Sequence, residues 1–190
     1  AAQAALDGGA EPLDLIASAL VPALDQVGAR FEAGTLYLPQ LLLSADAAKA
    51  AFELLRERMS AGAGALPASK GKVVLATVKG DVHDIGKNIV KVLLENYGYQ
   101  VVDLGRDVAP QAVADAVVRE GAGLVGLSAL MTTTVGSMEE TIALLRRAAP
   151  DCRIMVGGAV LTEDYARRIG ADFYGRDAMS DVRYADSLQG

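Results

Sequence analysis

The stretch KVVLATVKGDVHDIGKNIV, residues 72–90, passes from an apolar, β-branched run through a polar loop into an amphipathic helical pattern. Further apolar runs follow at 99–105, 123–129, 153–158 and 171–175. Helical patterns separate them at 87–97, 110–120, 135–149 and 162–169, and a last one follows Ala178. Strands that alternate with helices of this length predict right-handed βαβ crossovers and a parallel sheet. We therefore predict an α/β fold with a flavodoxin-like, doubly wound, five-stranded parallel sheet.

The residues upstream of this pattern have a helical rhythm instead. Apolar residues recur three or four positions apart over 13–31 and again over 38–59, which is the spacing of one helical face. Pro22 lies inside the first run. Because an interior proline breaks a helix but is tolerated in a first turn, we predict a new helix that begins near Leu20.

The chain is predicted to divide into two parts. We place an N-terminal helical cap bundle at 1–65, a linker at 66–71 and a Rossmann-like domain at 72–190. The segment AGAGALPASKG, residues 61–71, is small and almost uncharged, which is typical of a linker. A connector of this kind suits a hinge between the two parts.

The composition excludes several classes of function. The 190 residues include 18 Lys and Arg against 24 Asp and Glu, a net charge of −6, so no nucleic-acid or membrane partner is expected. The one cysteine, Cys152, rules out an intrachain disulfide and favours a cytoplasmic location,. The longest uncharged stretch, 121–138, carries four glycines and five Ser or Thr residues and is not a membrane span.

Small and polar residues follow the predicted strands where those strands end. Residues 79–86 follow the first strand, 128–134 end and follow the third, 157–159 do so for the fourth, and Tyr174 and Gly175 end the fifth. The carboxyl ends of parallel strands lie at one edge, where doubly wound folds bind ligands. The sequence therefore predicts a ligand site at this edge.

His83 is the only histidine, and Asp81 lies two residues before it. Asp81 can accept the Nδ1 proton of His83, which leaves Nε2 free as a metal ligand or a base. Ser128 and Thr134 are expected to hydrogen-bond Asp81 in turn. These residues allow two chemistries, a hydrolase-like triad and a supported metal ligand.

Each of these two chemistries makes a further demand on the sequence. A hydrolase elbow requires G-x-S-x-G, and Ser128 lies in GLSAL, which lacks the second glycine,. One histidine and one cysteine are too few for an ordinary protein-only zinc site,. A single imidazole is enough where a macrocycle supplies the other donors, which points to a metal in a tetrapyrrole-like cofactor.

Three short motifs in order then resemble those of a known family. They are D-x-H-x-x-G (Asp81, His83, Gly86), S-x-L (Ser128, Leu130) and G-G (Gly157, Gly158). The upstream segment FEAGTLYLPQLLLSADAAKAA, 31–51, resembles the cap bundle that precedes them in cobalamin-binding proteins. The resemblance is to methionine synthase and to the corrinoid proteins of methanol, methylamine and aromatic O-demethylating methyltransferases. It extends from about Leu13 to Asp177.

The resemblance implies a cobalamin bound base-off and His-on, with His83 as the cobalt ligand. Asp81 would orient His83, and Thr134 stands where the family usually has a serine, so these three form the implied catalytic set. The implied cofactor-binding residues also include the neighbours Val82, Asp84, Ile85, Gly86, Leu130, Met131 and Ala159. Ser128, Thr132, Gly157 and Gly158 would line a slot for the nucleotide tail, Tyr174 and Gly175 would close its far end, and Phe31 and Leu38 would form an apolar lid in the cap.

The resemblance also implies a function. The protein would carry a methyl group, alternating between methylcobalamin and cob(I)alamin, from a donor to an acceptor such as tetrahydrofolate or a thiol. It would be the methyl-carrying subunit or domain of a cobalamin-dependent methyltransferase system. The implied partners are a methyl-donor methyltransferase, an acceptor-side methyltransferase and a reductive activator.

The sequence also allows other functions. The chain could be a cobalamin-binding fragment of a methionine synthase or, less favourably, a light or ligand sensor, although such sensors typically have a tryptophan above the cofactor and this chain has none. A response-regulator receiver needs an aspartate where strand three ends, and Ser128 occupies that position. The string GAGLVG, 121–126, fits G-x-G-x-x-G but precedes a strand, so it lacks phosphate-binding geometry,.

Overall fold

The structure is a computed structural model that describes residues 2–61 and 69–189. It divides into two compact units, Ala1–Ala68 and Ser69–Gly190. Residues 62–68, which include most of the predicted hinge at 61–71, lie outside the described residues. Within the described ranges, no helix is long and apolar enough to cross a membrane.

The first unit is helical, as the apolar spacing predicted. Its elements are α1 (Ala2–Asp7), α2 (Pro12–Leu15), a π-helical turn (Ile16–Leu20), α3 (Val21–Glu32) and α4 (Leu38–Ala61). Pro22 lies in the first turn of α3, where its missing N–H costs nothing,. Gly34 adopts a φ of +68° beyond the end of α3, a conformation that glycine takes without strain. Leu24, Leu41 and Leu55 are among the residues buried in this unit.

The second unit contains the predicted sheet, and the described residues form five parallel strands in the order β2-β1-β3-β4-β5. The strands are β1 (Lys72–Thr77), β2 (Gln100–Asp103), β3 (Leu124–Ser128), β4 (Arg153–Gly157) and β5 (Phe173–Gly175). The helices are α5 (Ile85–Asn96), α6 (Pro110–Glu120), α7 (Val135–Ala148), α8 (Glu163–Arg168) and α9 (Ala178–Ser187). The flavodoxin-like, doubly wound prediction is confirmed.

Two local details differ from the sequence-based boundaries. Helix α5 begins at Ile85, two residues earlier than its apolar period suggested, with Asp84 at the N-cap position. A 3₁₀ turn, Thr132–Thr134, precedes α7. Both differences bring helical backbone close to the strand ends, where loops were predicted.

The sheet separates two apolar layers. Side chains of β1, β3 and β4 that include Val74, Leu127 and Val156 pack in one buried cluster with residues of α6, α7 and α8. Helices α5 and α9 contact each other, α5 packs against β1, and α9 packs against β5. On the face that they cover, Gly126 lies beside Leu75 and Met155, and a Cβ there would lie 2.6 Å from the Leu75 side chain. A larger residue at 126 would therefore disrupt this layer.

Candidate functional site

A buried carboxylate organises the loops that follow β1 and β3. Asp81 is fully buried, and its Oδ1 accepts hydrogen bonds from the backbone N–H of His83 at 3.0 Å and from its Nδ1 at 2.8 Å. Its Oδ2 accepts from the backbone N–H groups of Leu130 at 2.7 Å and Met131 at 3.2 Å, and from the Thr134 hydroxyl at 2.9 Å. A buried charge is tolerated where its lone pairs are this fully used.

These bonds fix the ionisation of Asp81 and the tautomer of His83. Burial alone would raise the pKa of the Asp81 carboxyl, but hydrogen bonds from the His83 and Leu130 backbones and from the His83 and Thr134 side chains hold that pKa below its ordinary value. An ionised carboxylate only accepts hydrogen bonds, so Nδ1 of His83 carries a proton. Nε2 keeps its lone pair in the neutral ring, and the side chain is 47% exposed.

The Thr134 hydroxyl has one hydrogen but lies within hydrogen-bond distance of two acceptors. Its Oγ1 lies 2.9 Å from Asp81 Oδ2 and 2.8 Å from the Met131 carbonyl oxygen, so these two oxygens share a single donor. The threonine methyl is accommodated by Gly80, where a Cβ would lie 3.4 Å from Thr134 Cγ2. The predicted link from Thr134 to Asp81 is therefore present, and the extra methyl does not disturb it.

Ser128 does not join this network, contrary to the sequence-based expectation. Its Oγ lies 2.9 Å from Thr77 Oγ1, because β1 and β3 pair with Thr77 opposite Ser128. Residues that pair in register on parallel strands have side chains on the same face of a sheet. The Ser128 side chain therefore points toward Thr77 and not toward Asp81. Thr77 was not identified from the sequence, although the register of two predicted strands would have paired it with Ser128.

The same register continues into a row of small residues along the carboxyl edge. Gly157 pairs with Ser128, and Gly175 pairs with Gly157, so this row runs from Thr77 through Ser128 to two glycines. Gly158 follows with a φ of +141°, and a Cβ there would lie 1.8 Å from the Ala129 carbonyl oxygen. Only glycine fits that position.

The loop after β2 also holds the loop that carries Asp81, through two hydrogen bonds of Asp107. Asp107, at a φ of +54°, accepts a hydrogen bond from the Gly80 N–H at 2.7 Å and donates its own N–H to the Asp81 carbonyl oxygen at 3.0 Å. Nearby, the buried Lys87 ammonium lies 2.5 Å from Asp103 Oδ1. Sequence reasoning missed Asp107 and Lys87, since neither belongs to a motif with its own chemistry.

Comparison with known proteins identifies the family. A family model described as "B12 binding domain" matches residues 71–183, and a second model of the same description matches residues 1–56. The chain belongs to the family of B12-binding corrinoid proteins. Cobalamin, which contains cobalt, is therefore its cofactor.

Curated relatives of this corrinoid protein are similar over most of their length. Dimethylamine corrinoid protein 2 of Methanosarcina mazei is 42% identical over 182 residues, which cover 94% of this chain and 83% of that protein. The methanol–corrinoid protein of Methanosarcina barkeri is 38% identical over 186 residues, or 98% of this chain and 70% of that protein.

Solved structures give the same result. A chain of the methanol:cobalamin methyltransferase complex of Methanosarcina barkeri matches with a TM-score of 0.84 and 37% identity, over 98% of this chain and 71% of that one. A cobalamin-binding protein of Desulfitobacterium hafniense DCB-2 matches with a TM-score of 0.77 and 32% identity, over 88% of this chain and 78% of that one.

The residues at the carboxyl edge of this corrinoid protein fit a large, flat cofactor. Val82 and Ile85 lie in the same loop as His83 and at the start of α5, respectively, and the Leu130 N–H bonds the Asp81 carboxylate. The side chains of all three are exposed, and a macrocycle would cover such apolar surface. No group of three or more His, Cys, Asp or Glu side chains that could hold a metal occurs among the described residues. A metal held by the other donors of a macrocycle would need one protein ligand, and His83 is the only histidine of the chain; its role as that ligand stays a prediction.

The remaining predicted residues belong to loops of the sheet unit, to helix α5 and to the helical unit. Thr132 and Ala159 are exposed, and Asp84 and Met131 are half-buried in the corrinoid protein. Gly86 lies in the first turn of α5. Phe31 and Leu38 belong to the helical unit, where Phe31 lies in the last turn of α3 and Leu38 begins α4; their predicted role as a lid stays a prediction.

Tyr174 is placed differently from its neighbour Gly175. Its side chain packs against the cluster formed with α6, α7 and α8, and its hydroxyl donates to the Leu161 carbonyl oxygen at 3.0 Å. Successive residues of a strand face opposite sides of the sheet, so Gly175 lies on the α5 and α9 side and Tyr174 does not. Of these two residues, only Gly175 belongs to the row of small residues.

Proposed function

We propose that this corrinoid protein binds cobalamin base-off and His-on through His83 and carries a methyl group between a donor methyltransferase and an acceptor. One observation supports the proposal above all others. The His83 ring is held through Nδ1 by a buried carboxylate, and its other nitrogen lies at the sheet edge where doubly wound folds bind ligands. Bound cobalamin supplies a cobalt centre that accepts and donates methyl groups.

Asp81 and Thr134 would support His83 by controlling one proton. Asp81 holds the Nδ1 proton and so keeps the lone pair on Nε2, as carboxylates do behind metal-bound histidines. The Thr134 hydroxyl can donate either to Asp81 Oδ2 or to the Met131 carbonyl oxygen. Turning that hydroxyl toward Met131 would leave more negative charge on Asp81 and make His83 a stronger donor. The three residues would thus tune how strongly Nε2 of His83 donates to the metal.

The row of small residues would receive the nucleotide tail of the cofactor. Thr77 and Ser128 supply hydroxyl groups, and Gly157 and Gly175 have no side chains of their own. Backbone that lacks a Cβ permits close approach of a ligand. This arrangement would hold cobalamin independently of the bond from His83.

The relatives support a methylamine or methanol donor system. Those that match are named as dimethylamine and methanol corrinoid proteins, and one lies in a methanol:cobalamin methyltransferase complex. We propose a methyl-donor methyltransferase, an acceptor-side methyltransferase that uses tetrahydrofolate or a thiol, and a reductive activator as partners. The match to most of the length of proteins named as corrinoid proteins favours this role over that of a methionine synthase fragment.

The proposal is tested by reconstituting the protein with hydroxocobalamin, reducing it and adding candidate methyltransferases with methanol, monomethylamine or dimethylamine. A change in the cobalt absorbance that requires one enzyme and its substrate would identify the donor. The matched control is His83→Ala, which should still take up the cofactor through the tail row but with a different visible spectrum. No response to any donor system, with full cofactor occupancy, would contradict the methyl-carrier role.

A further inference from the structure

Asp181 is a buried acid that the site described above does not use. It lies in the first turn of α9, is 7% exposed, and its Oδ1 is buried without a hydrogen-bond partner in the part of the chain that the structure describes. A buried polar atom left unpaired costs roughly 1–3 kcal/mol. Native proteins keep few such atoms, so this one calls for an explanation.

The side chain is directed at the glycine end of the row of small residues. A Cβ at Gly175 would lie 2.0 Å from Asp181 Oδ1, so the carboxyl occupies the space above Gly175 on the α5 and α9 face. Gly175 pairs with Gly157 across β5 and β4. Asp181 therefore adds a polar group at the end of a row whose other members are two hydroxyls and two glycines.

The surroundings keep a large share of this carboxyl, about half at pH 7, in the protonated form. Burial, followed by repulsion from Asp177, raises the pKa of Asp181 to about 7. A protonated carboxyl both donates and accepts a hydrogen bond. Such a group suits a partner with a ring nitrogen or a hydroxyl in either protonation state, whereas its ionised form would repel a phosphate.

We propose that Asp181 hydrogen-bonds the nucleotide of the cofactor's tail, at a ring nitrogen of the base or a hydroxyl of the ribose. The inference rests on the proposed function, because it requires the tail to occupy the row. Three strand spacings separate the end of β1 from the end of β5 in the sheet order, about 14 Å at ~4.8 Å per strand. Asp181 is thus far from the His83 loop, and the nucleotide is the part of the cofactor that extends away from the corrin ring.

The test compares the purified apo-protein and three variants, Asp181→Ala, Asp181→Asn and Asp177→Asn, in titrations with hydroxocobalamin and with cobinamide, which lacks the nucleotide. We expect D181A to weaken hydroxocobalamin binding about tenfold and cobinamide binding less than about twofold. D181N keeps a donor and an acceptor and should stay within about threefold of wild type. D177N removes the neighbouring exposed charge but keeps a capping residue. At about pH 5.5, where burial alone keeps Asp181 protonated, it should bind both ligands as wild type does.

A second measurement separates ligand recognition from a structural role. Because Oδ1 is unpaired, D181A should unfold at the same or a higher temperature than wild type without cofactor, while its affinity for hydroxocobalamin falls. Equal losses on both ligands, or no loss on either, would overturn the inference. If wild type bound neither ligand, the proposed function itself would fail, and that outcome is distinct from an unchanged D181A.

A cobamide with a phenolic base in place of benzimidazole then locates the hydrogen bond. It keeps the ribose but has no ring nitrogen in the base. A tenfold loss in D181A that persists with this cofactor assigns the bond to the ribose. A loss that disappears assigns it to the base.

Discussion

One oxygen of Asp81 holds both the backbone and the ring of His83, at 3.0 Å from the amide nitrogen and 2.8 Å from Nδ1. The two bonds fix the ring direction relative to the loop that carries it. The other oxygen of Asp81 ties the same carboxylate to the loop after β3. The position of Nε2 is thus set by two loops together, before any cofactor binds.

Asp81→Asn should destabilise the sheet unit. An amide has one acceptor oxygen, so part of the donor set formed by His83, Leu130, Met131 and Thr134 would lose its partner. We expect a loss of about 2–3 kcal/mol in the free energy of unfolding near neutral pH. Urea denaturation of the apo-protein measures it, and an unchanged midpoint would contradict the hub role of Asp81.

The loss of stability in Asp81→Asn should depend on pH. The pKa of Asp81 is lower in the folded protein than its ordinary value, so its contribution to stability is complete above the unfolded-state pKa of about 3.9 and is lost as the pH falls toward the folded-state pKa. The gap between wild type and D81N should therefore be constant from about pH 6 to 8 and shrink below about pH 4. A difference in unfolding free energy that grew below about pH 4 would contradict the lowered pKa of Asp81.

Gly158→Ala should be far more damaging than Gly157→Ala. A Cβ at Gly158 would lie 1.8 Å from the Ala129 carbonyl oxygen at a φ of +141°, whereas a Cβ at Gly157 would lie 3.5 Å from the Gly175 carbonyl oxygen. We expect G158A to lose more than about 2 kcal/mol and G157A less than about 1 kcal/mol. Thermal unfolding of the two apo-variants decides the order, and equal losses would refute the close approach at Gly158.

Thr77 and Ser128 should act as a pair. Their hydroxyl oxygens lie 2.9 Å apart, so Thr77→Val and Ser128→Ala should each cost about 1 kcal/mol. The double variant should cost less than their sum by at least about 0.5 kcal/mol, because either change already removes the shared bond. Additive effects in chemical denaturation would show that the hydroxyls act separately.

Asp181→Asn should stabilise the apo-protein increasingly as the pH rises. Burial and Asp177 raise the folded-state pKa of Asp181 to about 7, against about 3.9 when unfolded. Between these values the folded protein holds a proton that the unfolded chain has lost, so wild-type stability falls as the pH rises through this window. The melting temperature of D181N relative to wild type should therefore increase by about 5 °C or more from about pH 5 to 8. A difference in melting temperature that did not change with pH would show that the pKa of Asp181 in the folded protein is not raised.

The sheet could be predicted from the sequence because its strands are buried on both faces. Runs such as 72–77 and 124–128 are almost continuously apolar, and helical periods separate them, so element type and order follow from the pattern. The 3₁₀ turn at Thr132–Thr134 did not follow, because its three threonines have no helical period.

Two contacts of the site could be predicted from the sequence, that of Asp81 with His83 and that of Asp81 with Thr134, which follows the neighbouring strand β3. Asp81 and His83 lie in one loop, so their hydrogen bond could be expected from spacing alone. Ser128 was assigned to Asp81 and instead bonds Thr77, because strand register controls its direction. Asp181 gave no signal, since a single acid on an amphipathic helix is ordinarily solvated, and only the fold reveals that it is buried.

The bond from His83 to cobalt is the central claim, and the single histidine of the chain allows a direct test. The protein is produced with ¹⁵N-labelled histidine, loaded with unlabelled cob(II)alamin and measured by electron paramagnetic resonance beside an unlabelled control. Base-off, His-on binding predicts that the nitrogen splitting changes from a triplet in the control to a doublet in the labelled protein. A triplet in both samples would show that an unlabelled nitrogen, such as that of the cofactor's own base, occupies the axial position, and would contradict the account.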